Sequence, residues 1–169
     1  MECDLQCIIG PISVMTEMSV IWRLKRLDLN ENFSLIPLTY DFIADINELA
    51  NKGEDPAHAG FALLSKSVEV VLKENSFTEP IGYFEIAYRN GQGIQIGIGY
   101  SRGEIIEGPI MTKTTWDAKE VKFVDIPSGK GAINIVLYKL GLPERKDMSG
   151  FENLGLSNYS SNKKILRNL

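Results

Sequence analysis

Residues 81–111 read IGYFEIAYRNGQGIQIGIGYSRGEIIEGPIM, and this run decides the fold. Ile81–Arg89 and Ile94–Tyr100 are rich in β-branched and aromatic residues, which suit a pleated, half-buried surface. Asn90-Gly91-Gln92-Gly93 between them is a hairpin signal, because Asn and Gly tolerate the positive φ of a tight turn. Ser101-Arg102-Gly103 supplies a second turn into a third strand over Glu104–Met111. In the middle strand Gly93, Gln95, Gly97 and Gly99 share one face, while Ile94, Ile96, Ile98 and Tyr100 share the other. A face so bare lets something lie close against it. The small residues Ala57-His58-Ala59-Gly60 are an intramolecular candidate to fill it; a ligand or a partner strand is the alternative.

Working outward, Val121–Ile126 and Ala132–Leu140 read as two further strands around Pro127-Ser128-Gly129-Lys130-Gly131. Upstream, Thr39 to Lys52 predicts a helix. Phe42, Ile43, Ile46, Leu49 and Ala50 recur at 3.6-residue spacing, Thr39 is a fitting N-cap, and Gly53 is a stop. A second helix is expected at once, capped by Asp55, with Pro56 in its first turn and Phe61, Leu64, Val68, Val71 and Leu72 as its apolar face, ending near Asn75. Ile8–Val14 and Ser19–Leu29 read as strands, the second from the alternation of Val20, Trp22 and Leu24 with Ile21, Arg23 and Lys25. The expected class is α+β, with two helices of the N-terminal half packed on a mostly antiparallel meander sheet. A length of 169 residues suits one domain, residues 1–169, with 144–169 expected as a weakly structured tail or a short terminal helix at Lys163–Leu169.

Composition narrows the function classes. The chain is 44% hydrophobic and 24% charged, as in ordinary globular proteins, with a formal net charge of −4. Residues 1–55 hold 10 acids and 4 bases, whereas residues 56–169 hold 12 acids and 14 bases, so the acidic character lies in the first third. That balance opposes direct nucleic-acid binding, which needs a basic stripe against phosphates. The two cysteines, Cys3 and Cys7, cannot form a disulfide scaffold, and with His58 as the one histidine they lack the partners of a zinc site. Reduced thiols in a cytoplasm are expected. The start of the chain carries Glu2 and Asp4 without a basic region, so no secretory signal is expected, and no run is long enough for a membrane span.

Local motifs for chemistry are sparse. His58 falls in the first turn of the expected second helix, where it reads equally as a surface residue or a general base. Glu120-Val121-Lys122, with Glu104, Glu107 and Asp117 upstream, resembles the Glu-x-Lys of restriction-endonuclease-type nucleases. There carboxylates hold a divalent metal and the lysine steadies the attacking water. Ser128-Gly129-Lys130-Gly131 has part of a phosphate-loop pattern, yet lacks its first glycine and its Lys-Ser/Thr ending, and is expected to precede a strand. Asp41, Asp45 and Glu48, at i, i+4 and i+7, put three carboxylates on one edge of the first helix. Such an edge is either simply solvated or faces a basic partner, where charge speeds encounter and excludes wrong partners.

An acidic, cysteine-poor α+β chain with helices first and the Gly-rich hairpins of Ile81–Met111 after them resembles the bacterial toxin-immunity proteins of contact-dependent growth inhibition. That resemblance implies a cytoplasmic inhibitor without cofactor, metal or small-molecule ligand, which neutralises one cognate protein toxin domain, often a nuclease, by tight binding. Asp41, Asp45 and Glu48 are then one contact group, and Glu104 and Glu107, on a strand at a sheet edge, a second. The competing expectation is a small metal-dependent hydrolase or nuclease using Glu104, Glu107, Asp117, Glu120 and Lys122.

Overall fold

The computed structural model of the chain describes residues 3–167 and Leu169. The hairpin is its centre. β4 (Ile81–Arg89) and β5 (Gln92–Ser101) pair antiparallel from Ile81 opposite Tyr100 to Arg89 opposite Gln92. The turn is Asn90-Gly91, with φ of +52° and +81°, the left-handed conformations that these two residues accept most readily. β6 (Glu104–Asp117) runs six residues beyond the expected end at Met111, and β7 (Lys122–Ile126) folds back along its last five residues, Lys113–Asp117. On the other side of β4 lies β1 (Cys3–Pro11), then β3 (Phe33–Pro37) and the short β2 (Leu27–Asp28). The sheet order is β2-β3-β1-β4-β5-β6-β7, every strand antiparallel to its neighbours.

Helices cover both faces. α1 (Ile12–Ile21), α2 (Tyr40–Ala50) and α3 (Lys66–Asn75) bury Met15, Met18, Phe42, Ile46, Val68 and Leu72 against Ile8, Ile36, Tyr83 and Ile98. α4 (Ala132–Lys139), α5 (Gly150–Asn153) and α6 (Asn162–Arg167) cover the opposite face, where Leu5, Leu35, Phe84 and Ile86 meet Val136, Leu137 and Ile165. Each such buried aliphatic or aromatic side chain contributes roughly 1.5–3 kcal/mol. The fold is α+β with an antiparallel sheet, as its meander foretells. The residues after Pro143 supply Leu154, Leu156 and Ile165 to the core; Asn168, within the expected terminal helix, lies outside the described residues.

Three expectations are corrected. Ser19–Leu29 is not one strand: α1 occupies residues 12–21 and buries Val14, Met15 and Met18 at helical spacing, while Val20 and Ile21 face outward, and only Leu27–Asp28 of the range is paired, as β2. Pro11 ends the preceding strand, and the methionine face of the helix outweighs the local alternation. The segment from Asp55 to Leu64 is a loop, and α3 starts only at Lys66, with Ser65 accepting the Val68 N–H at 3.2 Å. The Ala62 and Leu63 N–H groups in that loop are taken by the Glu85 carboxylate at 2.7 and 2.8 Å, so the backbone there is satisfied without a helix. Finally, the expected strand Ala132–Leu140 is instead α4, Ala132–Lys139, with Leu140 as its C-cap. It buries Ala132, Ile133, Val136 and Leu137, and its first N–H groups are held by Thr112 Oγ1 and Gln95 Oε1, both at 3.0 Å.

α4 also explains the bare face of β5. A Cβ on Gly97 would lie 3.2 Å from Val136, and one on Gly99 would lie 3.3 Å from it. The face is thus filled from within, by α4. The segment at residues 57–60 packs on the opposite side, Gly60 against Met111 and Ile96.

Candidate functional site

α2 is set by its ends. Thr39 Oγ1 accepts the Phe42 N–H at 3.2 Å, and Asn51, in the left-handed region at φ +45°, closes the helix two residues before the expected Gly53. Phe42, Ile43 and Ile46 turn inward. The outward face repeats in pairs: Tyr40 and Asp41, Ala44 and Asp45, Glu48 and Leu49, all exposed. Leu49, expected in the core, is 72% exposed and Tyr40 is 77% exposed. The three carboxylates therefore do share one edge, and among the described residues no cation pairs with them. Each end of this face opens on a hollow. At the N-terminal end Tyr40 and Asp41 line a groove of about 550 Å³ together with Gln6, Asn162, Lys163 and Arg167. At the C-terminal end Leu49 lines a smaller one of about 260 Å³ with Trp22, Lys52, Val70 and Glu74.

Glu104 and Glu107 lie on β6. Because β7 covers only Lys113–Asp117, no described strand pairs with the outer side of β6 from Glu104 to Thr112. The expected edge is present there, interrupted by Pro109, which has no N–H to offer. It belongs to a different element from the α2 face.

The five residues of the metal-hydrolase expectation do not form one site. Glu104 and Glu107 sit at one end of β6 and Asp117 at the other, ten residues or more along an extended strand, roughly 30 Å at 3.3 Å per residue. Asp117 Oδ1 accepts the N–H groups of Lys119 and Glu120, capping a turn, and Glu120 is paired with Lys122 at 3.4 Å. No group of three His, Cys, Asp or Glu residues able to hold a metal ion occurs among the described residues.

His58 has a different role from a helix residue. Its Nε2 donates to Glu69 Oε1 at 2.7 Å, and the Tyr100 hydroxyl (3.3 Å) and Lys73 Nζ (3.4 Å) converge on the same oxygen. Burial works to raise the Glu69 pKa, but the His58 hydrogen bond and the Lys73 charge outweigh it and hold the carboxyl below its ordinary range. Burial, then the neighbouring Glu69 charge, pushes the Tyr100 phenol up. The cluster ties the loop before α3 to the sheet.

Ser128-Gly129-Lys130-Gly131 opens into a helix after all. The first N–H groups of that helix are already occupied by Thr112 and Gln95, so they are not turned toward an anion. Cys3 and Cys7 are both free and buried. Among the described residues no helix is long and apolar enough to cross a membrane.

One end of the sheet is more apolar than its sequence suggests. Trp116 and Phe123 are exposed on one face of β6 and β7, Ile126, Ile94 and Met111 on the other, and Val121 before β7. The signal was Trp116 within a polar stretch, followed by the alternation of Val121 and Phe123 with Lys122.

No family model, curated protein or solved structure matches this chain.

Proposed function

We propose that this protein is an inhibitor that neutralises a cognate bacterial toxin domain, in the manner of contact-dependent growth inhibition immunity proteins, by binding it through the outward face of α2. The observation that carries the reading is that face itself. Asp41, Asp45 and Glu48 stand exposed and, among the described residues, without an ion-pair partner, between an exposed tyrosine and an exposed leucine, each bordering a hollow. Apolar anchors beside pockets give a contact its affinity, and uncompensated carboxylates steer a basic partner and set its register. A nuclease toxin offers such a basic surface, since it must bind phosphates. Glu104 and Glu107, beside the unpaired stretch of β6, form the second contact group, where a strand of the partner can add to the sheet.

The test is a titration calorimetry series with the toxin domain encoded beside this protein's gene. Joint replacement of Asp41, Asp45 and Glu48 by lysine should weaken binding tenfold or more and abolish protection of the cell, with the circular dichroism spectrum unchanged. Binding that is indifferent to all three replacements sinks the α2 assignment. Failure of the wild-type protein to bind sinks the inhibitor reading itself.

A further inference from the structure

β7 is the outer strand of the sheet at the end where the helical layers stop. It reads Lys122-Phe123-Val124-Asp125-Ile126, and its pairing partners, Asp117 to Lys113 of β6, lie on one side only. No described strand pairs with its other side, whose row of backbone donors and acceptors templates pairing with another strand. Two of the usual protections of an edge are missing from it: it has no proline and no register shift against β6. Three of its five residues, Phe123, Val124 and Ile126, are β-branched or apolar, and the charges of Lys122 and Asp125 cancel. Phe123 and Ile126 are 47% and 56% exposed, and Val121, just before the strand, is 70% exposed. Phe123 is already fixed in place. Its ring packs on Gly91, which has no side chain in the way, and stands edge-on to Trp116 at a centroid distance of 5.1 Å and an angle of 72°.

We infer that β7 joins two copies of this chain by antiparallel pairing about a two-fold axis through Phe123, making one continuous sheet across the dimer. A two-fold axis normal to the sheet keeps each residue on its own face, so in this register Phe123 stands opposite its copy, Lys122 opposite Val124, and Val121 opposite Asp125. No like charges oppose each other, and Lys122 is partnered by its own Glu120 at 3.4 Å. Phe123 and its copy, each backed by Trp116, form a cross-strand aromatic cluster, one of the pairings that stabilise a sheet. The other exposed elements do not suit a second copy. A pair of α2 faces would bring six carboxylates together, and the open stretch of β6 carries Glu104 and Glu107 without a base and is broken by Pro109. The electrically neutral, unbroken edge is the one that is complementary to itself. The inference is independent of the toxin reading and uses none of its residues.

Light scattering coupled to size exclusion tests it. The wild-type chain should run as a dimer of twice 18.9 kDa at concentrations in the tens of micromolar. Phe123→Lys, which sets two ammonium groups face to face, should run as a folded monomer, while the triple lysine variant of α2 should remain a dimer. Phe123→Cys should crosslink to its own copy on mild oxidation, because directly opposed Cβ atoms are close enough for a disulfide. Ile105→Cys, on the open stretch of β6, should not. A wild-type protein that stays monomeric up to about 1 mM overturns the inference. So does a dimer that survives Phe123→Lys, or a failure of Phe123→Cys to crosslink.

Discussion

The side chain of Asn162 closes the backbone of Gln6: it accepts the Gln6 N–H at 3.1 Å and donates to the Gln6 carbonyl at 2.9 Å. β3 pairs only with the Cys7–Pro11 half of β1, so the first half of that strand would otherwise face water or an empty flank. The segment from Ser160 to Asn162 takes the place of the missing strand, with the Asp4 N–H donating to the Ser160 carbonyl at 2.8 Å. The same carboxamide also donates to the Leu38 carbonyl, tying the start of α2 to the chain's last helix. Asn162→Ala leaves the Gln6 N–H unpaired in a partly buried place, whereas the Gln6 carbonyl keeps the Leu38 N–H at 2.8 Å, so the change should cost about 1–3 kcal/mol in urea unfolding. A loss well below that range would mean that water replaces the carboxamide without penalty.

Glu85 is the other non-local tie. Its carboxylate is buried and accepts three hydrogen bonds, from Ala62 N–H, Leu63 N–H and the Tyr83 hydroxyl at 2.7 Å. Replacement by Ala strands two backbone donors and a phenol, and the expected loss is about 3 kcal/mol or more, since charged acceptors are worth roughly twice neutral ones. Hydrogen exchange gives the sharper readout. The amides of Ala62 and Leu63 should lose their protection in Glu85→Ala while those of β4 and β5 keep theirs.

What the sequence made legible was local. The Asn90-Gly91 turn, the Thr39 cap and the inward spacing of Phe42, Ile43 and Ile46 each depend on residues within a few positions of one another, and all three are found in place. The errors fall where a distant residue decides. Ile133 to Val136 alternate well enough for a strand, yet Thr112 and Gln95, contributed by β6 and β5, hold the first turn of a helix. Residues 55–64 have helix signals, yet Glu85 captures their N–H groups. The carboxylate edge of α2 was visible because charge spacing along a helix is local. Its exposed neighbours Tyr40 and Leu49 were not, because apolar spacing alone does not say which half of a helix meets the core.

The pairing of His58 with Glu69 makes stability depend on pH in a definite direction. The folded-state pKa of Glu69 is lowered, so its contribution is complete above the ordinary glutamate value of about 4.3 and is lost as the pH falls below it toward the folded value. Thermal unfolding of the wild-type protein should therefore become easier with acidification across that window. Glu69→Gln should flatten the profile there. Equal slopes in the two proteins would show that other carboxylates carry the acid sensitivity.

The thiols should be inert in the native state. Burial, with the nearby Asp4 charge second, pushes the Cys3 thiol up to about 11, and burial pushes Cys7 higher still. The thiolate is the reactive form, so at pH 8 neither residue should react with a disulfide reagent such as dithionitrobenzoate until the chain unfolds. In guanidinium both should react at once. Rapid labelling of one thiol under native conditions would mean that β1 opens locally at Cys3, near its outer end.

The contact between β5 and α4 yields a graded prediction at Gly97. A Cβ there would meet the Phe84 ring at 3.0 Å and Val136 at 3.2 Å, both side chains that can give by a few tenths of an ångström. Against that strain, alanine removes freedom from the unfolded chain, worth about 0.4–1 kcal/mol. Gly97→Ala should thus be nearly neutral. Gly97→Leu has no such escape. Its further carbons must displace α4 from the sheet, and overpacking of this kind costs about 1–3 kcal/mol. Denaturant unfolding of the two variants separates the cases: two equally mild losses would mean that α4 rides loosely on the glycine face, and two severe ones that even a methyl group is too much for it.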